Sequence, residues 1–118
     1  MNNRWRFTNN ELKYLKKVII TGNGSGTFGN FNYHFEKLFS KTVGNKYGIT
    51  FNSGTGTLQA GLNALGVGYG DEVITTPLTV ISNLYVILSL NAIPVFADID
   101  KETFNIDPKS IESKITSK

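Results

Sequence analysis

The sequence predicts an α/β fold, a mostly parallel sheet with helices packed on it. Three observations carry this. From Tyr47 onward, short apolar runs of strand length alternate with longer segments of helical period. The runs are largely apolar, as in strands of a parallel sheet with helices packed on it. Turn residues separate the two kinds of segment, so the order reads strand, helix, strand, helix, strand. Crossovers in such a sheet are right-handed, and ligands bind beyond the carboxyl ends of its strands.

The elements follow in order. Asn10 to Lys17 reads as a short amphipathic helix with Leu12 and Leu15 on one side, followed by the apolar run Val18-Ile19-Ile20. A glycine-rich loop spans Gly22 to Gly29. Phe31, Phe35, Leu38, Phe39 and Val43 then recur at helical spacing, which predicts a helix packing that face on a core, ended by Gly44. Tyr47 to Asn52 reads as a strand and leads into Ser53-Gly54-Thr55-Gly56. Leu58, Leu62 and Leu65 mark a helix closed by Gly66. Gly68 to Asp71 is turn chemistry. Glu72 to Thr75 is a strand broken by Pro77, Ile81 to Leu90 a helix, and Ile93 to Ile99 a third strand. Asp107 and Pro108 supply the N-cap and first position of a last helix, Pro108 to Ile115. The domain organisation expected is an entry part, residues 1–30, with the N-terminal helix and glycine-rich loop. Residues 31–118 then form the first βαβαβ part of a larger domain.

Composition narrows the function. The chain has 118 residues, 40% hydrophobic and 18% charged, as in an ordinary globular protein. A net charge of +3, with scattered lysines, argues against a nucleic-acid partner. There is no cysteine and one histidine, His34, so disulfides, Cys-based metal sites and a His cluster are excluded, and no metal site is expected. His34 falls between core positions of its helix and reads as a solvated surface residue. Trp5 and the other aromatics read as core or dimer contacts. The N-terminus has no secretory apolar region. The apolar stretch Val80 to Leu90 is too short for a bilayer, which takes ~20 residues. A cytoplasmic protein with no membrane partner is the expectation.

Two glycine loops compete as binding sites. Gly24-x-Gly26-x-x-Gly29 has the form of a dinucleotide fingerprint, but the following strand ends Phe51-Asn52-Ser53 without the acid that would hold a ribose. A flexible entry loop is the preferred reading. Ser53-Gly54-Thr55-Gly56 joins a strand directly to a helix, whose first N–H groups are unpaired and carry partial positive charge. Glycines let a phosphate approach the backbone, and hydroxyls add hydrogen bonds. The alternative is that Thr55 simply caps the helix.

The linked run NSGTGTLQAGLNALGVGYGDEVITTPLTVISN, then NAIPVFADIDKETFNIDPKSIESKIT, resembles the DegT/DnrJ/EryC1/StrS family of sugar aminotransferases. The earlier FGNFNYHFEKLFSKTVGNKYGITFNSGT is similar to that family's N-terminal region. The resemblance runs from about residue 8 to the end. It implies the N-terminal portion of the large domain of a fold-type I pyridoxal-phosphate-dependent transferase, a homodimer with active sites shared between subunits. By the same resemblance, Gly54, Thr55 and Gly56 hold the phosphate of pyridoxal 5'-phosphate. Val80, after Thr79, stands where the family usually has an aromatic residue against the pyridine ring, a departure; core packing at a helix start is its other reading. Thr27 and Gly29 match a segment near the substrate sugar. Asp98 and Asp100 suggest a carboxylate pair, but match a structural turn of the family.

The resemblance further implies that an amino group moves from glutamate to a keto group on a nucleotide-linked sugar. In the family, the lysine that forms a Schiff base with the cofactor and the acid paired with its pyridine nitrogen both lie well downstream of Asp107-Pro108. This chain ends at Lys118, so no residue of it is expected to be catalytic, and alone it is expected to transfer no amino group. The alternative function is a non-catalytic truncated module that keeps the phosphate loop or the dimer surface.

Overall fold

A computed structural model describes residues 8, 10–26 and 29–117. They divide into two compact units, up to Thr50 and from Phe51 onward. Trp5 and Thr27 lie outside the described residues.

The first unit holds α1 (Asn10–Thr21) and α2 (Asn30–Thr42). Before α1, the Thr8 backbone N–H donates to the Glu11 carboxylate at 2.9 Å, as an N3 acid does in a capping box. The helix does not stop at Lys17. Val18, Ile19 and Ile20 continue it, because their backbone groups find i−4 partners there and β-branched residues lose only tenths of a kcal/mol in a helix, roughly. No residue of α1 is buried, so the Leu12 and Leu15 side is open. The face of α2 is a second departure from expectation. Phe35, Leu38, Phe39 and Val43 are exposed, with Phe35 and Phe39 stacked on each other at 5.8 Å. Among the described residues of this unit there is no sheet for that face to cover.

Gly44 ends α2 with φ +72° as expected, and Asn45 N–H closes the cap on Ser40 O at 2.8 Å. The segment Tyr47 to Asn52 is not a strand. Thr50 gives its N–H (2.8 Å) and its hydroxyl (2.7 Å) to Glu36 Oε1, so its donor goes to a side chain and not to a ladder. Gly48 lies flat on α2: a Cβ there would come within 2.8 Å of Glu36 O. The two hydrogen bonds from Thr50, the hydroxyl's first, hold the Glu36 carboxyl below its ordinary pKa.

The second unit contains α3 (Gly54–Ala64), β1 (Glu72–Thr75), α4 (Ser82–Ser89), β2 (Ile93–Phe96) and α5 (Pro108–Glu112). β1 and β2 pair in parallel, in the register Glu72 to Ile93 through Thr75 to Phe96. The crossover α4 covers them with Val86 and Ile87, each 2% exposed. With Ala92 and Ala97 these are the buried apolar residues of the unit. Leu58, Leu62 and Leu65 of the α3 segment line an open apolar groove with Val73, Val86 and Ile87. Pro94 fits β2 because the missing N–H lies on a strand paired on one side only, among the described residues.

Two of the three helices in this unit end on a left-handed residue. Gly66 has φ +81° after α3, and Asn91 has φ +56° after α4, with Ala92 N–H reaching Ile87 O. β2 is shorter than the expected run to Ile99. Ala97 still donates to Thr75 O at 2.9 Å, but Asp98 N–H turns to the Ser110 hydroxyl, and Ile99 forms an isolated antiparallel bridge with Ile106. Asp107 caps α5 by accepting from Lys109 N–H at 3.0 Å, with Pro108 at the first helical position. That helix ends at Glu112, three residues before the expected Ile115. Among the described residues no helix is long and apolar enough to cross a membrane.

Candidate phosphate-binding site

The residues after β1 and those opening α3 meet at one point. α3 begins directly after Ser53, whose extended backbone (φ −158°) turns the chain into the helix. The Ser53 hydroxyl accepts from Gly56 N–H at 3.1 Å, and Ser53 O accepts from Thr57 N–H at 3.1 Å. Ser53 is therefore the N-cap, and the reading of Thr55 as the cap is corrected. A serine at a loop-to-helix junction is itself a capping signal, so the sequence held this information.

With the cap supplied by Ser53, the N–H groups of Gly54 and Thr55 have no acceptor among the described residues. They sit in the first turn of an 11-residue helix, where the peptide dipoles add partial positive charge. The space beside them is open. A Cβ built on Gly54 meets nothing within 4 Å, and Gly54 has no positive φ to require glycine. Neither conformation nor packing among the described residues requires glycine there, and the open space would admit an anion to the backbone. Gly56 differs: a Cβ on it would press the Ser53 hydroxyl at 3.3 Å, so its small size protects the cap.

The Thr55 hydroxyl makes no capping bond. It donates to the Ser82 hydroxyl at 3.0 Å, joining the first turn of α3 to the first residue of α4 across 27 positions of sequence. Sequence reasoning missed Ser82, since no local pattern marks a partner that far away. Val80 stands two residues before Ser82, with 70% of its surface exposed. Core packing at a helix start, one of its two readings, is therefore not what the structure has. Its aliphatic side chain is left open to solvent, two residues from the Thr55–Ser82 contact.

The other expected residues lie elsewhere. Gly29 is in the first unit. Its N–H donates to Ser25 O at 2.8 Å, and a Cβ would stand 2.4 Å from both Asn23 O and Ser25 O. Glycine is thus demanded by the loop's own fold. That loop follows a helix and not a strand, which removes the context a dinucleotide fingerprint needs. His34 is exposed, its ring edge-on to Tyr33. The Asp100 carboxylate is occupied within a turn, accepting from Thr103 N–H (2.8 Å), Thr103 hydroxyl (2.9 Å) and Glu102 N–H (3.1 Å). These bonds, the one from Thr103 N–H first, hold its carboxyl below the ordinary range. The Asp98 carboxylate accepts from Ile99 N–H, so the two acids serve the turn rather than form a pair.

The chain as a whole is similar to known proteins. The model of the DegT/DnrJ/EryC1/StrS aminotransferase family matches residues 6–118. The spore coat polysaccharide biosynthesis protein SpsC of Bacillus subtilis is 50% identical over 82 residues, 70% of this chain and 21% of that protein. A putative L-glutamine:3-amino-2,3-dideoxy-scyllo-inosose aminotransferase of Streptomyces kanamyceticus is 43% identical over 108 residues, 90% of this chain and 26% of that protein. Among solved structures, that of NtdA from Bacillus subtilis with bound cofactor PMP matches with a TM-score of 0.85 at 36% identity, covering 94% of this chain and 26% of that one. The chain spans about a quarter or less of the length of the relatives it matches.

Proposed function

The chain belongs to the DegT/DnrJ/EryC1/StrS aminotransferase family, and we propose that it is the part of a sugar aminotransferase that grips the cofactor phosphate. In this reading residues 1–30 form the entry part and residues 31–118 the first part of the large domain. The observation that carries the proposal is the first turn of α3: two N–H groups, on Gly54 and Thr55, with no acceptor among the described residues, beside space that Gly54 leaves open.

The cofactor proposed is pyridoxal 5'-phosphate, which supplies an electron sink for amino transfer when bound. The chain's own residues bind and orient. Gly54 and Thr55 N–H groups and the Thr55 hydroxyl hold the phosphate, with Gly56 keeping the cap that aims them. Val80 covers one face of the ring; it forgoes aromatic stacking of about 1 kcal/mol. Gly29 and Thr27 are assigned to the sugar substrate on the family resemblance alone. The amino group passes from glutamate to a keto group of a nucleotide-linked sugar, in a cytoplasmic homodimer. The Streptomyces kanamyceticus relative carries L-glutamine in its name, so glutamine is the second donor to test.

The test uses the protein expressed from its complete reading frame. With pyridoxal phosphate it should absorb in the visible, and borohydride should fix the label on one lysine. Glutamate or glutamine should then support amination of a nucleotide-linked keto sugar. No absorption and no labelled lysine would contradict the proposal and favour a non-catalytic module that keeps the loop or the dimer surface.

A further inference from the structure

We propose that Ser82 is a positioning residue for the cofactor phosphate, acting through the hydroxyl of Thr55. The inference rests on the reading of the Ser53–Gly56 loop as the phosphate site. Thr55 donates to Ser82 Oγ at 3.0 Å, and both residues are half-buried. The Ser82 hydroxyl proton has no acceptor among the described residues. The pair thus holds two protons, one between the oxygens and one free.

A hydroxyl has one proton to give and two lone pairs to receive. If Thr55 spends its proton on Ser82, it has none for a phosphate. Two hydroxyl rotations reverse the pair: Ser82 then donates to Thr55, and Thr55 donates to the phosphate oxygen. No heavy atom moves. In the reversed state each bond polarises the next, so the donor that reaches the phosphate is strengthened. Ser82 also holds the Thr55 rotamer whether or not a phosphate is bound, so binding does not have to order it. Ser82 is the first residue of α4 and does not cap it, which frees its hydroxyl for this work.

The experiment compares pyridoxamine 5'-phosphate with pyridoxamine by calorimetry on the protein from the complete reading frame. Their affinity ratio isolates the phosphate contacts without any covalent bond to the protein. Wild type should prefer the phosphorylated ligand. Ser82→Ala should cut that preference about five- to tenfold, the scale of one hydrogen bond, and leave pyridoxamine affinity unchanged. Ser82→Thr should keep it. Ser82→Ala in a Thr55→Val background should cost nothing further, because the two act in series. Should Ser82→Ala fail to fold, Ser82→Cys, similar in size and a weak donor, should show the same loss. A preference kept in the Ala or Cys variant while Thr55→Val loses it would overturn the role of Ser82. Equal weakening of both ligands would also overturn it. A wild type with no preference would instead sink the phosphate reading itself.

Discussion

Thr55 separates what a residue does from what its type suggests. A threonine in the first turn of a helix is an obvious cap, yet Ser53 holds that place and leaves Thr55 free to reach Ser82. If its hydroxyl also serves a phosphate, Thr55→Val should cost about 1–3 kcal/mol of cofactor affinity, the loss of a hydrogen bond to a charged group. Titration with pyridoxamine phosphate reads this directly, and unchanged affinity would reduce Thr55 to a link between helices. That Gly54 and Thr55 open a helix was legible from sequence, because a glycine loop precedes leucines at helical spacing. Ser82 was not, because its contact depends on two helices meeting. Asp100 gives a second test. Its lowered pKa means that folding favours the ionised form, so its contribution is complete above the ordinary carboxylate pKa and fades as pH falls through the lowered value. Asp100→Asn should therefore lower the melting temperature at neutral pH, and the two melting curves should converge in acid. A constant gap at all pH values would mean that charge plays no part.

At the scale of elements, pattern and partner carried different weight. Glu72 to Thr75 was legible to the residue, since it centres on Val73-Ile74 and ends before Pro77, and α4 packs on it. Tyr47 to Asn52 has a similar pattern but no ladder. Thr50 bonds to Glu36 instead, a contact 14 residues away that periodicity does not register. Val18 to Ile20 shows the converse, β-branched residues absorbed by a helix already under way. The glycine loop between α1 and α2 has its own requirement. Gly29→Ala would place a methyl 2.4 Å from two carbonyl oxygens, so the Asn23–Ser25 turn must open. Amide exchange at position 29 and in the first turn of α2 should rise at least tenfold, roughly the effect of about 1.4 kcal/mol of local destabilisation. Unchanged exchange would show that the loop tolerates the methyl.

Across the whole molecule, little apolar surface is shielded. Val86, Ile87, Ala92 and Ala97 are buried, while Leu12, Ile19, Leu38, Leu65 and Ile81 are each two-thirds exposed or more. Exposed apolar surface of this extent marks sites of association, and the two-stranded sheet adds unpaired backbone groups. The 118-residue chain on its own should dimerise, associate further or precipitate, and sedimentation at several concentrations checks it. A compact monomer throughout would mean that these residues are self-sufficient. The central claim is that the first turn of α3 grips a cofactor phosphate in the gap left by Gly54. Its most direct test is the affinity ratio of pyridoxamine phosphate to pyridoxamine in wild type and Gly54→Leu, using the protein from the complete reading frame. None of the described residues lies within 4 Å of a Cβ there, and a thermal melt of the variant checks that it folds. The prediction is a strong preference for the phosphorylated ligand in wild type that Gly54→Leu abolishes. The same preference in both proteins would contradict it.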